Sequence, residues 1–423
     1  MVRPKRFLAL TASVAALALI AACGGDDPSE DGKTAADGGT LEITHWDLLS
    51  PSYGAQMWEL FKGYEKNNGA ASLTKQEITR QDYETTIKSQ IAAGGGPDVL
   101  AIPDTFLPEL AEAGALESLD GVFPADMKPP LNATNEGGKW RGTQMAITAQ
   151  IAPYAFMWNK DILERAGVQP PTTPQELVNA AKTIKERTGI TGFAVRHRIA
   201  EENPWWIDFY NWPRGFGGGW SDGTKLTIDR PENIAAVKAY KEIFDSGSFP
   251  VGDDASTFRT KFKQGQLAML IDSTGVPTAV ISEKVPSTSI LSSKLPFPTQ
   301  NTSHVGIYFG INKNAKNKEL AKDFLRWLVA QEQQQEMSEV LGNASTVAVD
   351  TTVPQEYLER NPWVAAFREN ASHSKGAVIE GFEEKTPRIR HIVLTWIEKV
   401  LLQDLPPEEA LAKAAQEAAA VAR

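Results

Sequence analysis

Cysteine is nearly missing from this chain: of 423 residues, only Cys23 carries a thiol. One thiol cannot close an internal disulfide, so the fold must hold without any. Histidine is also scarce, with five residues scattered along the sequence. No H-E-x-x-H pair and no close Cys/His set occurs, which excludes the common short zinc motifs. A G-x-S-x-G pattern occurs at Gly219–Gly223, but it follows a glycine run rather than an apolar strand, and Gly32-Lys33-Thr34 has Asp27 where a phosphate loop needs its first glycine. The glycine run "AAGGGPD" leads into a strand rather than a helix and makes a poor phosphate cradle. No carboxylate pair stands out for acid–base work. Neither a metal nor a cofactor is expected, and the chain does not read as an enzyme. Positive charge is in deficit, with 43 basic against 53 acidic side chains and a net charge of −10. Nucleic-acid binding needs a basic footprint that this chain lacks. Beyond the first turns of sequence no apolar run reaches the ~18 residues a spanning helix needs, and no internal repeat is visible.

The N-terminus is the exception. Arg3, Lys5 and Arg6 form a cationic head, and Phe7 to Ala22 carries no charge. This is the layout of a secretory signal. Its end, Ile20-Ala21-Ala22-Cys23, resembles the bacterial lipobox, in which the cysteine is acylated and becomes the new N-terminus. Residues 1–22 thus read as a lipoprotein signal peptide and Cys23 as the lipidation site. Residues 23–39, "CGGDDPSEDGKTAADGG", hold almost nothing large and apolar and read as a flexible tether. Two acyl chains would suffice for stable anchoring on the outer face of a bacterial membrane. Loss of residues 1–22 removes three cations and no anion, leaving a mature chain near −13.

The remaining residues exceed what one core usually holds, so two lobes are the expectation. "LEITHWDLL" reads as a strand ending in a loop, and "YGAQMWELFKGYEKNNG" as a helix with a C-terminal stop. "SLTKQEITR" and "DVLAIP" read as strands, "YETTIKSQIAA" and "FLPELAEAGALESLD" as helices. This alternation predicts an α/β fold with mostly parallel strands. In "TTPQELVNAAKTIKERTG", Thr173 is a candidate N-cap, Pro174 suits the first helical position, and Glu176 completes a capping-box pattern.

Four stretches, in this order, carry a resemblance: "YETTIKSQIAAGGGPDVL", "AEAGALESLD", "YAFMWNKDILERAGVQPPTTPQEL" and "GINKNAKNKELAKDFLRWLVAQEQQ". Together they resemble the family 1 extracellular solute-binding proteins of ABC importers, the maltose-binding-protein type. The resemblance implies two α/β lobes joined by a hinge that the chain crosses three times. By matching segments, one lobe would hold 40–149 plus 299–328 and the other 150–298 plus 329–423. The crossings would fall near Thr148–Ala152, Pro296–Thr299 and Leu328–Gln331. It also implies a protein that binds a solute between the lobes and hands it to permease subunits; nothing in the sequence indicates an oligomer, so a monomer is expected.

Candidate binding residues follow from sugar chemistry: a flat ring covers the C–H face, and carboxylates or amides receive the hydroxyls. "NPWWIDFYNWPRGFGGGW" packs seven aromatics into sixteen residues, including Trp205, Trp206, Trp212 and Trp220. Pro204, Pro213 and the triple glycine argue against a regular helix throughout. Trp46 and Asp47 end the first strand, Gln81 and Asp82 follow the second, and Asp104 follows the third. In open α/β sheets ligands gather beyond the carboxyl ends of strands. Gln150 sits at the first crossing. "FKQGQLAMLIDSTG" resembles a family motif but has Gly275 where tryptophan is frequent, leaving Asp272 and Ser273 as candidates. Tyr308 and Arg388 complete the set. An oligosaccharide is the first reading of the solute. Glycerol-3-phosphate or a glycerophosphodiester is the second, with Trp205, Trp206 and Trp212 as a cage for a quaternary ammonium and Arg388 on the phosphate. A lipid-anchored glycoside hydrolase is the reading from another class, and it requires two facing carboxylates in a cleft.

Overall fold

A computed structural model describes residues 39–69 and 71–423. The signal segment, Cys23 and nearly all of the expected tether lie outside the described residues. Eleven strands are present among the described residues: β1 Thr40–Thr44, β2 Ser72–Gln76, β3 Val99–Pro103, β4 Lys139–Trp140, β5 Thr143–Gln144, β6 Ala146–Asn159, β7 Thr191–Ala194, β8 Leu267–Ser273, β9 Ile290–Ser293, β10 Thr302–Ile311 and β11 Ser374–Lys375. Nine of them form one sheet, in the order β2-β1-β3-β10-β6-β8-β7, with β9 on β6 and β11 on β10. Helices cover the sheet.

The outer pairs β1–β2, β1–β3 and β7–β8 are parallel, as the strand–helix alternation predicts. The centre is different. β10 runs antiparallel to both β3 and β6, and β6 runs antiparallel to β8. The expectation of a mostly parallel sheet is corrected here. Local alternation reports crossovers between sequence neighbours. It says nothing about β10, which inserts beside β3 from some 200 residues further along the chain.

β6 explains how one sheet serves two cores. It is fourteen residues long and buried throughout. Through Pro153 it pairs with β10; from Tyr154 onward it pairs with β8. Proline cannot donate to a ladder and is normally kept out of central strands. Pro153 sits where the strand changes partner. Past that point both faces are covered. Phe156 and Trp158 enter one apolar cluster with Met269 and Ile271, and Ala155 and Met157 enter another with Leu270. Up to Ile151, β6 belongs to a separate cluster with Leu41, Ile43, Val99 and Phe309. Burial on both faces is why these strands read as continuous apolar runs.

Cluster membership changes again between Phe297 and Ile307, where Val305 touches both cores; further on, Ala344 joins the cluster of Trp363 while Leu341, Val347 and Ala348 stay with β1 and β3, and from Trp363 onward the chain has left that core. Val329, Met337, Leu341 and Val347 pack with β1 and β3. Matching segments to the family places residues from 329 onward in the other lobe, with a crossing near Leu328–Gln331. The helix Gln331–Val340 packs instead on the helix Gly54–Asn67.

The helix Pro174–Thr188 starts as the sequence suggests, with Thr173 Oγ1 accepting from the Glu176 N–H at 3.2 Å and Pro174 at its first position. The Glu176 carboxylate reaches one residue further back than a capping box would take it, to the N–H and hydroxyl of Thr172 at 2.8 and 2.7 Å. The aromatic stretch is more regular than predicted: Glu202–Gly215 is a helix. Pro204 falls in its first turn, where N–H groups have no intrahelical partner, and Pro213 falls in its last turn.

Candidate functional site

A cavity of about 1130 Å³ opens between elements of the two lobes. One wall comes from the helix Leu107–Glu112, the turn Ala133–Gly138, Trp140 and Tyr308. The other comes from Arg368 and the strap Ala371–Glu383. Asp104 lies between them. It follows β3 directly and is 8% exposed. Its Oδ1 accepts from the Thr105 N–H at 2.8 Å, and its Oδ2 faces the Ala377 N–H at 3.4 Å. The strap comes this close because residue 376 is glycine. A Cβ there would stand 2.6 Å from Asp104 Oδ2. Gly137 does the same for Tyr308, whose hydroxyl would be 2.0 Å from a Cβ at that position.

Burial sets the charge state of these groups. Desolvation pushes the Asp104 carboxyl up to about 7, against the two backbone donors that favour its anion. His304 also borders the cavity and is lowered to about 3 by burial and by Arg214, so it is a neutral ring at pH 7. Its Nδ1 sits 2.8 Å from Ser374 Oγ. Burial raises the Tyr308 hydroxyl, which stays protonated. The cavity thus offers a carboxylate acceptor, a phenol, a neutral imidazole and a nearby guanidinium. This set suits hydroxyl groups.

Of the residues predicted from sequence, Asp104 and Tyr308 line this cavity. The others lie elsewhere. Trp205, Trp206, Trp212 and Trp220 are core residues at 0–1% exposure, and none borders the cavity. Trp206 stacks on Trp220 at 5.1 Å and donates its indole N–H to Ala377 O at 2.7 Å. They form no open cage. Asp272 is also buried. Burial alone would raise its carboxyl, but the bidentate Arg259 guanidinium, at 2.8 and 2.9 Å, holds it below the usual range. Ser273 donates its own N–H to the same carboxylate. Trp46 and Asp47 occupy a 3-10 turn past β1, where Arg80 covers the Trp46 ring at 4.8 Å. Gln81 and Asp82 are exposed in a turn. Gln150 is buried with its amide on Ser345 Oγ at 2.9 Å. Arg388 is exposed and away from the cavity.

Sequence reasoning missed Trp140, His304, Arg368 and the strap. A usable signal existed for one of them: "NATNEGGKWRG" is a polar, glycine-rich segment holding a tryptophan, placed just ahead of the long strand β6.

The model of the bacterial extracellular solute-binding proteins matches residues 49–335. The chain belongs to this family. Among curated relatives, a putative binding protein of Brucella abortus is 26% identical over 92% of this chain and 94% of its own length. A diacetylchitobiose binding protein of Streptomyces coelicolor is 27% identical over 73% and 74%. A maltooligosaccharide ABC transporter solute-binding lipoprotein of Streptococcus pneumoniae is 25% identical over 77% and 76%. Among solved structures, the GacH receptor of Streptomyces glaucescens, determined unliganded and with acarbose, superposes with a TM-score of 0.79 at 20% identity, covering 91% of this chain and 98% of that one. The fold is therefore the two-lobed one of maltose-binding-protein-type receptors. The family places its members on the extracytoplasmic side, and the relatives named here are binding proteins rather than enzymes.

Proposed function

We propose that this chain is the lipid-anchored sugar receptor of an ABC importer. It takes an oligosaccharide into the cavity around Asp104, the lobes hold it, and membrane permease subunits receive it. Cys23 carries the anchor. The observation that supports this most is the cavity itself. Its volume of about 1130 Å³ exceeds the ~300–1,000 Å³ of typical small-molecule pockets, and its polar groups suit hydroxyls. The sugars in the relatives' names, diacetylchitobiose and maltooligosaccharide, point the same way.

The test is calorimetric titration of the full chain in a sugar-free detergent with maltotriose, maltotetraose, N,N′-diacetylchitobiose, glucose and glycerol-3-phosphate. Saturable binding of an oligosaccharide at micromolar Kd, about −8 kcal/mol, is the expected result, with the sugar recovered unchanged. Response to glycerol-3-phosphate alone would keep the receptor role and replace the ligand. Hydrolysis products would overturn it. After expression in a bacterium, mass spectrometry of the mature N-terminus should find a diacylglyceryl-modified Cys23; a chain starting at Met1 would remove the anchor.

A further inference from the structure

The short hairpin β4–β5 has a tip that does two things at once. Its strands pair Lys139 with Gln144 and Trp140 with Thr143, leaving a two-residue loop. Both loop residues have positive φ, Arg141 at 48° and Gly142 at 86°. This is the backbone of the tight turns that close two-residue hairpins. Arginine rarely adopts that conformation, so its side chain needs compensating contacts. It has three. The guanidinium lies 5.3 Å from the Trp140 ring centroid. Nη1 pairs with Glu112 at 2.9 Å and Nη2 with Glu384 at 3.2 Å.

The two carboxylates belong to opposite sides of the cavity. Glu112 ends the helix Leu107–Glu112, whose Leu107 and Leu110 pack with β1 and β3. Glu384 lies in the turn before the helix Thr386–Gln403, whose Ile389 and Val393 pack in the aromatic core. One guanidinium therefore ties the two lobes at the mouth. Trp140 is half-buried and borders the cavity. It is the one tryptophan to do so, while the four in the dense aromatic segment are enclosed. The ring is held by Arg141 and by packing against the core of its own lobe, and its remaining surface borders the cavity, where a ligand can stack on it.

We infer that this hairpin tip is both the stacking platform and the clasp of the cleft: Trp140 packs on a pyranose ring, and Arg141 holds Glu384 across the mouth above it. The inference rests on the proposed sugar-receptor role. It accounts for the missing tryptophan at Gly275, because the platform comes from the other lobe.

The test uses the full chain in a sugar-free detergent and whichever sugar of the panel above binds best. Trp140→Ala should weaken Kd about tenfold or more, while Trp140→Phe stays within about threefold, since a ring of either kind covers C–H groups. Glu384→Gln should speed sugar release about two- to fivefold in stopped-flow at low salt, with the difference fading at ~1 M salt, as a half-exposed ion pair requires. Unaltered Kd in Trp140→Ala, with the parent chain binding normally, overturns the platform. Unaltered release in Glu384→Gln overturns the clasp. If no sugar binds the parent chain, the receptor reading fails first and this inference falls with it.

Discussion

Asp104→Ala is expected to weaken sugar binding about 100-fold, the largest functional effect of any single change in the cavity. The carboxylate already accepts one short backbone hydrogen bond and faces a second N–H, so it is fixed before ligand arrives. A hydrogen bond to a charged group contributes about 1.5–3 kcal/mol, and a carboxylate can receive two hydroxyls. The pH dependence has a definite sign. Burial raises this carboxyl to about 7, and hydroxyl donors favour the anion, so binding releases a proton. Affinity of the parent chain should therefore rise from pH 6 to pH 8, and Asp104→Asn should be flat over that range. Stability runs the other way. The folded value lies above the unfolded one of ~3.9, so the folded state holds the extra proton. Stability from this group is full below about pH 4 and is lost as pH rises through about 7. Asp104→Asn should then unfold at higher urea than the parent at pH 8, while binding less tightly. A variant equal to the parent in both measurements would take Asp104 out of the binding site.

Arg196→Met is expected to cost about 3–5 kcal/mol of stability, the price of breaking a buried pair from one side. Arg196 follows β7 and turns inward, where its Nη1 meets Asp208 Oδ2 at 2.6 Å and its Nε meets Glu201 at 3.2 Å. Asp208 is fully enclosed and also receives the Tyr154 hydroxyl. Tyr240 donates to the Arg196 carbonyl and accepts from the Trp205 indole. Without that guanidinium, the buried Asp208 carboxylate keeps one neutral donor, the Tyr154 hydroxyl, and still feels the like charge of Asp272, which Arg259 only partly offsets. Urea unfolding at pH 7.5 measures the loss. Two further results identify its cause. The gap should narrow as pH falls, because a raised carboxyl is satisfied by protonation. The double variant Arg196→Met, Asp208→Asn should recover a large part of the loss, since it leaves no unpaired carboxylate at position 208. A double variant as unstable as the single one would assign the loss to packing instead.

The aromatic segment shows where sequence reasoning and structure part. Composition marked Trp205–Trp220 as unusual, and it is: four tryptophans, Phe209, Tyr210 and Tyr240 interlock around the helix Glu202–Gly215. Composition carries no sign that distinguishes a ring facing a ligand from one facing other rings. That distinction depends on which elements cover the helix, and the strap near Ala377 and the helix Thr386–Gln403 arrive from about 170 residues away. Asp104 was legible for a definite reason. It closes a short, wholly apolar strand, and strand ends are where ligands gather. Trp140 was not, because its hairpin strands are two residues each and have no periodicity to read.

By itself the sequence determined the local units: a charged-then-apolar start ending at Cys23, strands alternating with amphipathic helices, the Thr173 cap, and four ordered motifs that fix the family. These are set by neighbours within a few turns of chain, through capping, periodicity and backbone preference. Only the tertiary structure decided the antiparallel place of β10, the partner change at Pro153, the enclosure of the tryptophans, and the meeting of Asp104 with Gly376 across 272 positions of chain. Each of these rests on contacts between segments far apart in sequence. Their energy comes from burial against a particular partner, and no single segment carries the identity of that partner.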